Sequence, residues 1–213
     1  LAENAAGLPN PWVFTNYSGI LLSASFWQQT GNSVLIAVFA TIVVVGVGSL
    51  AAFAISRYYF RGREFIYTLF TLGLLFPVGV AILPLYLMLR QLDLLNNPLG
   101  IAIPQAAFQI PITIVILRPF MAAIPGELED AAVLDGCTGL AFFWRVLLPL
   151  SKPALVTVSV LTFVTSWNAF LLPLLVINDE ARYTLPLGTA MFSTEYTQDT
   201  ARILAFTALS MVP

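Results

Sequence analysis

The chain has 213 residues, of which 59% are apolar and only 9% charged, with a formal net charge of -2. Soluble domains carry roughly 25% charged residues, so this is the composition of an integral membrane protein, and the small net charge gives no sign of nucleic acid as a partner. With no histidine and a single cysteine, Cys137, zinc sites, Ser-His triads, imidazole relays and intrachain disulfides are all excluded.

Residues 1–31 mix Pro9, Pro11, Gly19 and Gly31 with Trp12, Tyr17 and Trp27. They predict a loop or short interfacial helix, with aromatics suited to the headgroup layer. They show no basic n-region or cleavage pattern, so no signal peptide is expected, and the initial Leu1 points to a chain truncated at its start. Val34 to Ser56 is an uncharged run predicted to be the first span, with Gly46, Gly48, Ser49, Ala51 and Ala52 available for close helix approach. Arg57, Arg61 and Arg63 follow it and mark the cytoplasmic side. A second span is expected over Phe65 to Leu89, kinked or locally broken at Pro77 and Pro84, and an external turn over Arg90 to Pro98. The third span is Leu99 to Leu117, containing Pro104 and Pro111 and closed by Arg118 on the cytoplasmic side. Ala154 to Ile177 is the fourth, followed by an external polar segment over Asn178 to Arg202. The last apolar run, Ile203 to Pro213, is shorter than the roughly 20 residues a span requires, so truncation is expected at that end too.

Between the third and fourth spans lies a polar island in which Glu127, Glu129, Asp130 and Asp135 fall close together. Pro125 and Gly126 should end the preceding helix, and carboxylates in a new first turn meet the positive end of the helix dipole. A short helix is therefore predicted from Glu127, ending at Gly136 in the left-handed cap position. Thr138 is placed to cap a second helix, Gly139 to Leu148, with Leu140, Phe143, Val146 and Leu147 on one face and Pro149 stopping it.

Asp130, Ala131 and Ala132, then Gly136 after three residues, then Val146, Leu148 and Pro149, resemble the EAA motif of permease subunits in binding-protein-dependent ABC importers. The spacing matches at every step, with Asp130 standing for the motif's glutamate and Val146 for its isoleucine. The surrounding wording, from Ile124 and Pro125 through Glu127, Glu129 and Asp135 to Lys152 and Pro153, is similar to the sugar-importer branch, in particular to the second of its two permease subunits. Trp167 to Phe170 adds weaker support. The resemblance implies an all-α polytopic transmembrane bundle of the type I importer permease fold, with four complete spans and the start of another. It implies an extracytoplasmic stretch over residues 1–27, a transmembrane domain over 28–213, and a cytoplasmic coupling loop over 121–152 that docks on a separate ATPase. The implied partners are a second homologous permease, two ATPase subunits, an extracytoplasmic solute-binding protein and membrane lipid. The implied location is the cytoplasmic membrane of a bacterium or archaeon, with ATP and magnesium held by the ATPase and no cofactor on this chain.

The four predicted spans contain no Asp, Glu, Lys or Arg, whereas ion-coupled carriers usually place an ionisable group or a broken-helix ion site at membrane depth. An external energy source is favoured over a secondary carrier, and an intramembrane enzyme would lack its acid and base. No phosphate-binding loop of the Walker type occurs, so ATP hydrolysis is not expected on this chain. Uncharged polar residues at helical spacing are the candidates for a solute path: Gln105, Gln109 and Thr113 in the third span, and Thr157, Thr165 and Asn168 in the fourth, with Trp167 available to stack on a sugar ring. Interhelical hydrogen bonding is the plainer role for each of them. A permease for an amino acid, peptide or metal shares the motif and remains the alternative.

Overall fold

Ser23 sets the start of the longest element: its side-chain oxygen accepts a hydrogen bond from Phe26 N at 3.4 Å, and helix α2 then runs unbroken over Ala24–Arg57. The structure, a computed structural model, describes residues 14–192 and 200–211, so Trp12 and residues 193–199 of the predicted external segment lie outside the described residues. A short helix, α1 (Thr15–Leu21), precedes α2 as the aromatic-rich start predicted. The predicted loop over 22–31 does not form beyond Ser23, because Gly31 and Asn32 carry the helix through. At 1.5 Å per residue α2 is roughly 50 Å long, more than a hydrocarbon layer of about 30 Å requires.

Arg63 begins α3 (Arg63–Gly73) after Gly62, whose φ of 91° suits glycine. The expected second span is broken: α3 and α4 (Val78–Gln91) meet at 95°. Pro77 sits in extended backbone at the N-cap of α4, and a proline disfavours helical geometry in the residue before it, so the chain opens between Gly73 and Pro77. Pro84 lies inside α4 without ending it.

Helix α5 (Pro98–Ala122) starts where the Asn97 side chain accepts from Leu99 N at 2.9 Å, with Pro98 in the first turn, where a missing N–H costs least. Pro104, Pro111 and Pro119 all lie within it, and it passes Arg118, the predicted end. After α6 (Glu127–Leu134), a continuous helical segment follows: α7 (Gly139–Phe142), a π turn over Phe143–Leu147, and α8 (Leu148–Leu150). Helix α9 (Lys152–Trp167) then stops ten residues short of the predicted Ile177, and α10 (Leu171–Val176) resumes after a turn. Pro173 explains this break, since it cannot donate to the Ala169 carbonyl and its ring would clash there. A polar stretch with 3-10 turns at Glu180–Arg182 and Leu187–Phe192 leads toward α11 (Thr200–Ser210). No strand occurs among the described residues.

Among the described residues α2 and α5 are the single helices long and apolar enough to cross a membrane, and up to four spans result if each bent pair, α3 with α4 and α6 with Gly139–Leu150, counts as one. Helices α2 and α5 pack directly on each other: a β-carbon on Gly48 would stand 2.5 Å from Thr113 Cγ2. Buried clusters lie along this pair. Phe53, Met121, Ala132, Phe142, Phe143, Leu147 and Val158 form one, Ile36, Leu89, Ile101, Val176 and Leu187 a second, and Phe26, Trp167, Leu185 and Phe206 a third. By contrast α3 has no buried residue and α4 only Leu89.

Candidate docking loop and intramembrane pocket

Helix α6 carries Glu127, Glu129 and Asp130 in its first turn, and its end is a Schellman closure: Cys137 N donates to Ala132 O at 2.8 Å and Gly136 N to Val133 O at 3.0 Å. Gly136 takes φ 78°, the left-handed value predicted for it. The two helical segments on either side of that turn meet at 119°.

The candidate docking residues divide into two sets. Glu127, Asp130, Ala131, Asp135 and Gly136 are exposed, together with Val133 and Leu134, which the sequence reading passed over. Facing inward, Ala132 is buried in the cluster around Phe143, and Glu129 pairs with Arg57 at 3.7 Å. Val146 and Leu148 are half-buried against the same cluster, while Pro149 is exposed.

Beyond Gly136 two expectations fail. Thr138 occupies the cap position in extended backbone, but its side chain makes no capping hydrogen bond. Pro149 does not stop the helix, which continues through Leu150. The π turn also changes which face is inward: Phe142, Phe143 and Leu147 are buried, and Leu140 is 61% exposed. A π turn inserts a residue into the helical register, so the 3.6-residue period does not hold across it.

Beside this loop, Arg118 bonds Glu64 Oε1 and lies 3.9 Å over the Tyr67 ring, and Arg63 bonds Glu64 Oε1 at 3.0 Å. The hydrogen bond from Arg118 outweighs the opposing effect of desolvation and, with a lesser contribution from Arg63, holds the Glu64 carboxyl below its ordinary value.

A cavity of about 340 Å³ opens between α4, α5 and α9, lined by Gln105, Phe108, Gln109, Thr162, Thr165, Ser166 and Phe170, with Val78 and Ile82 as one wall. Among the described residues no Asp, Glu, Lys or Arg lines it. Ser166 Oγ donates to Gln105 Oε1, which fixes the amide and leaves Gln105 Nε2 without a partner, as is Thr162 Oγ1.

Of the candidate path residues, Gln105, Gln109 and Thr165 meet here and the others do not. Thr113 is buried under Gly48. Thr157 is exposed and returns its hydroxyl to Pro153 O at 3.0 Å. Trp167 is buried, stacks on Phe163 and donates its indole N–H to Ser210 O at 2.8 Å. Asn168 is exposed and bonds Val164 O at 2.9 Å. The sequence reading missed Thr162, Ser166, Phe108 and Phe170. The spacing of 162, 165, 166 and 169 is a one-face pattern that could have found the first two.

At the opposite end from the docking loop, the turn between α4 and α5 is clasped to the stretch after α10. Asn96 Oδ1 accepts from Asn178 N at 2.6 Å, Arg182 bonds Asn96 O, and Asn32 Nδ2 on α2 donates to Tyr183 O at 3.0 Å.

A polytopic helical bundle with an exposed acidic loop at one end and a pocket lined by uncharged residues among its helices is the architecture of a transporter's membrane component. The chain belongs to the family described as the binding-protein-dependent transport system inner membrane component, which matches residues 44–213. This is a family of permease subunits, not of enzymes, and its members work within ABC transport systems of the inner membrane. The chain is 34% identical over its whole length, and over 77% of the relative, to a putative ABC transporter permease protein of Caldicellulosiruptor sp.. It is 33% identical to the diacetylchitobiose uptake system permease protein NgcG of Streptomyces coelicolor, covering 97% of this chain and 69% of that one. It is 32% identical to the trehalose transport system permease protein SugB of Mycobacterium tuberculosis, covering 97% and 76%. The fold matches a crystal structure of a bacterial ABC transporter involved in import of the acidic polysaccharide alginate, with a TM-score of 0.76 at 23% identity over 96% of this chain and 76% of that one. The predicted all-α importer-permease fold is borne out by these matches.

Proposed function

We propose that this chain is one membrane subunit of an ATP-driven importer that passes a carbohydrate or related polyol across the cytoplasmic membrane of a bacterium or archaeon by alternating access. The observation that carries the proposal is the exposed helix over Glu127–Leu134 with its Gly136 closure. Asp130, Ala131, Val133 and Leu134 present acid, a small residue and apolar side chains to a cytoplasmic partner. That partner is an ATPase, present in two copies, which holds the ATP and magnesium. A second homologous permease, an extracytoplasmic solute-binding protein and surrounding lipid complete the assembly.

The pocket supports a neutral, hydroxylated solute. Gln105, Gln109 and Thr165 supply donors and acceptors, Phe108 and Phe170 supply ring faces, and the lining holds no charge. A charged amino acid or a metal ion would enter without a counter-charge, so the uncharged lining favours the carbohydrate over those alternatives.

Co-purification with a cognate ATPase tests the docking half of the proposal. The double variant D130N/G136V is expected to lose both ATPase association and uptake, and retention of both would refute docking through this loop.

A further inference from the structure

Arg57, the last residue of α2, has a side chain only 9% exposed and touches three separate elements. Its Nη2 donates to Met121 O at 3.0 Å and Ile124 O at 2.7 Å. These carbonyls lie in the last turn of α5 and just beyond it, where Met121 O otherwise receives only weak turn bonds such as that from Ile124 N at 3.4 Å. A cation there also meets the negative end of the helix dipole. Its Nη1 stands 3.7 Å from Glu129 on α6, and the guanidinium lies 6.0 Å over the Phe142 ring at the end of α7. One side chain therefore joins the ends of both long spans to both halves of the docking pair.

We propose that Arg57 is the positioning residue through which displacement of the docking helix is carried into α2 and α5. The proposal rests on the docking function assigned above. The geometry favours arginine over any other cation, because a planar fork reaches two carbonyls and a carboxylate together while an ammonium is a single compact donor. The guanidinium is mostly withdrawn from water, so its bonds are retained when the loop is pushed, whereas an exposed pair would yield to solvent.

The test uses the assembled permease and ATPase complex in proteoliposomes and needs no identified solute. Cys137 is replaced (C137S) and a reporter thiol is introduced into the pocket (T165C), and its maleimide labelling rate is measured with and without a non-hydrolysable ATP analogue. With Arg57 intact, the analogue is expected to change that rate by about tenfold, within the range typical of coupling between sites. In R57Q the change is expected to shrink below about twofold per assembled complex, with R57K intermediate, the loss lying within that same coupling range. A merely structural role would lower the yield of complex and leave the response of each complex unchanged, and that result overturns the proposal. Should R57Q not assemble, R57K decides: an undiminished response overturns the proposal and a diminished one supports it. If the complex with Arg57 intact retains no ATPase, or ignores the analogue, the docking function itself fails and this proposal with it.

Discussion

Gly48 and Thr113 decide whether the α2 and α5 crossing is as tight as the structure shows. Alanine at 48 would place a methyl 2.5 Å from Thr113 Cγ2 and 3.3 Å from Thr113 Cβ. Thr113 is 1% exposed and branched at Cβ, so it has little freedom to move aside. Overpacking of this kind costs about 1–3 kcal/mol. For a chain of this size each kcal/mol lowers Tm by about 2–4 °C, so G48A should melt lower by about 2–12 °C. The assay is thermal unfolding in detergent at one fixed scan rate, since membrane proteins often unfold irreversibly. Removing the opposing methyl with T113S should return most of the loss, giving a coupling of about 0.5–3 kcal/mol in the double-mutant cycle. An unchanged Tm in G48A, or a G48A/T113S protein no more stable than G48A, would refute the close crossing. The same pair tests the role of Thr113: a packing residue predicts an unchanged uptake KM in T113S/G48A complexes that remain folded.

Within the pocket, Q105L should raise the uptake KM about tenfold, the worth of one well-placed hydrogen bond of about 1.4 kcal/mol. An unaltered KM in solute uptake assays would remove Gln105 from the path. W167F should leave KM unchanged while losing about 1 kcal/mol of stability with the bond to Ser210 O, read as a Tm shift. Because the Glu64 carboxyl is held below its ordinary value of 4.5 chiefly by Arg118, its contribution is complete above that pH and is lost as pH falls through the lowered folded value. The Tm difference between the parent protein and E64Q should therefore be flat from pH 7 to about 5 and narrow at lower pH. A difference that widens on acidification would show the opposite shift.

The docking loop was legible because its signals are local and polar. Pro125, Gly126 and Gly136 punctuate the chain, and a Schellman closure is decided within one turn of helix. The spans were legible as apolar runs, but their breaks were not. Pro77 and Pro173 open the chain at 74–77 and 168–170, whereas Pro84, Pro104, Pro111 and Pro119 sit within continuous helices. A lost backbone hydrogen bond is tolerated where neighbouring helices compensate, and that depends on packing a single sequence does not display. The pocket face was half legible for a geometric reason. Residues four apart drift by 40° on a helix of 3.6 residues per turn, so over the eight residues from Gln105 to Thr113 the side chain turns by roughly 80°. That drift carries Thr113 from the pocket to the α2 crossing. Asn168 failed differently, because α9 ends at Trp167 and its period stops there.

These placements divide the molecule by how its parts can move. Helix α2 is fastened at both ends and in the middle: Asn32 bonds the stretch after α10, Gly48 seats Thr113, and Arg57 holds the end of α5. Pocket walls from α5 and α9 belong to this fastened part, with Gln105 bonded to Ser166 across them. Another wall, Val78 to Leu85, comes from α4, which joins α3 through a 95° break and has one buried residue. Segments with few buried contacts open at the lowest free energy. A change of pocket shape therefore costs least on the α4 side, and the break at 74–77, where Leu74, Leu75 and Phe76 donate only i−3 turn bonds and the α-helix is interrupted, is where the backbone can absorb it. Under the proposed docking, a push at Glu129 and Arg57 meets the end of α5, and α5 is in turn joined to α2 at the Gly48 crossing and, by the Arg118 bond to Glu64, to α3, the helix that leads through the 95° break into the α4 wall.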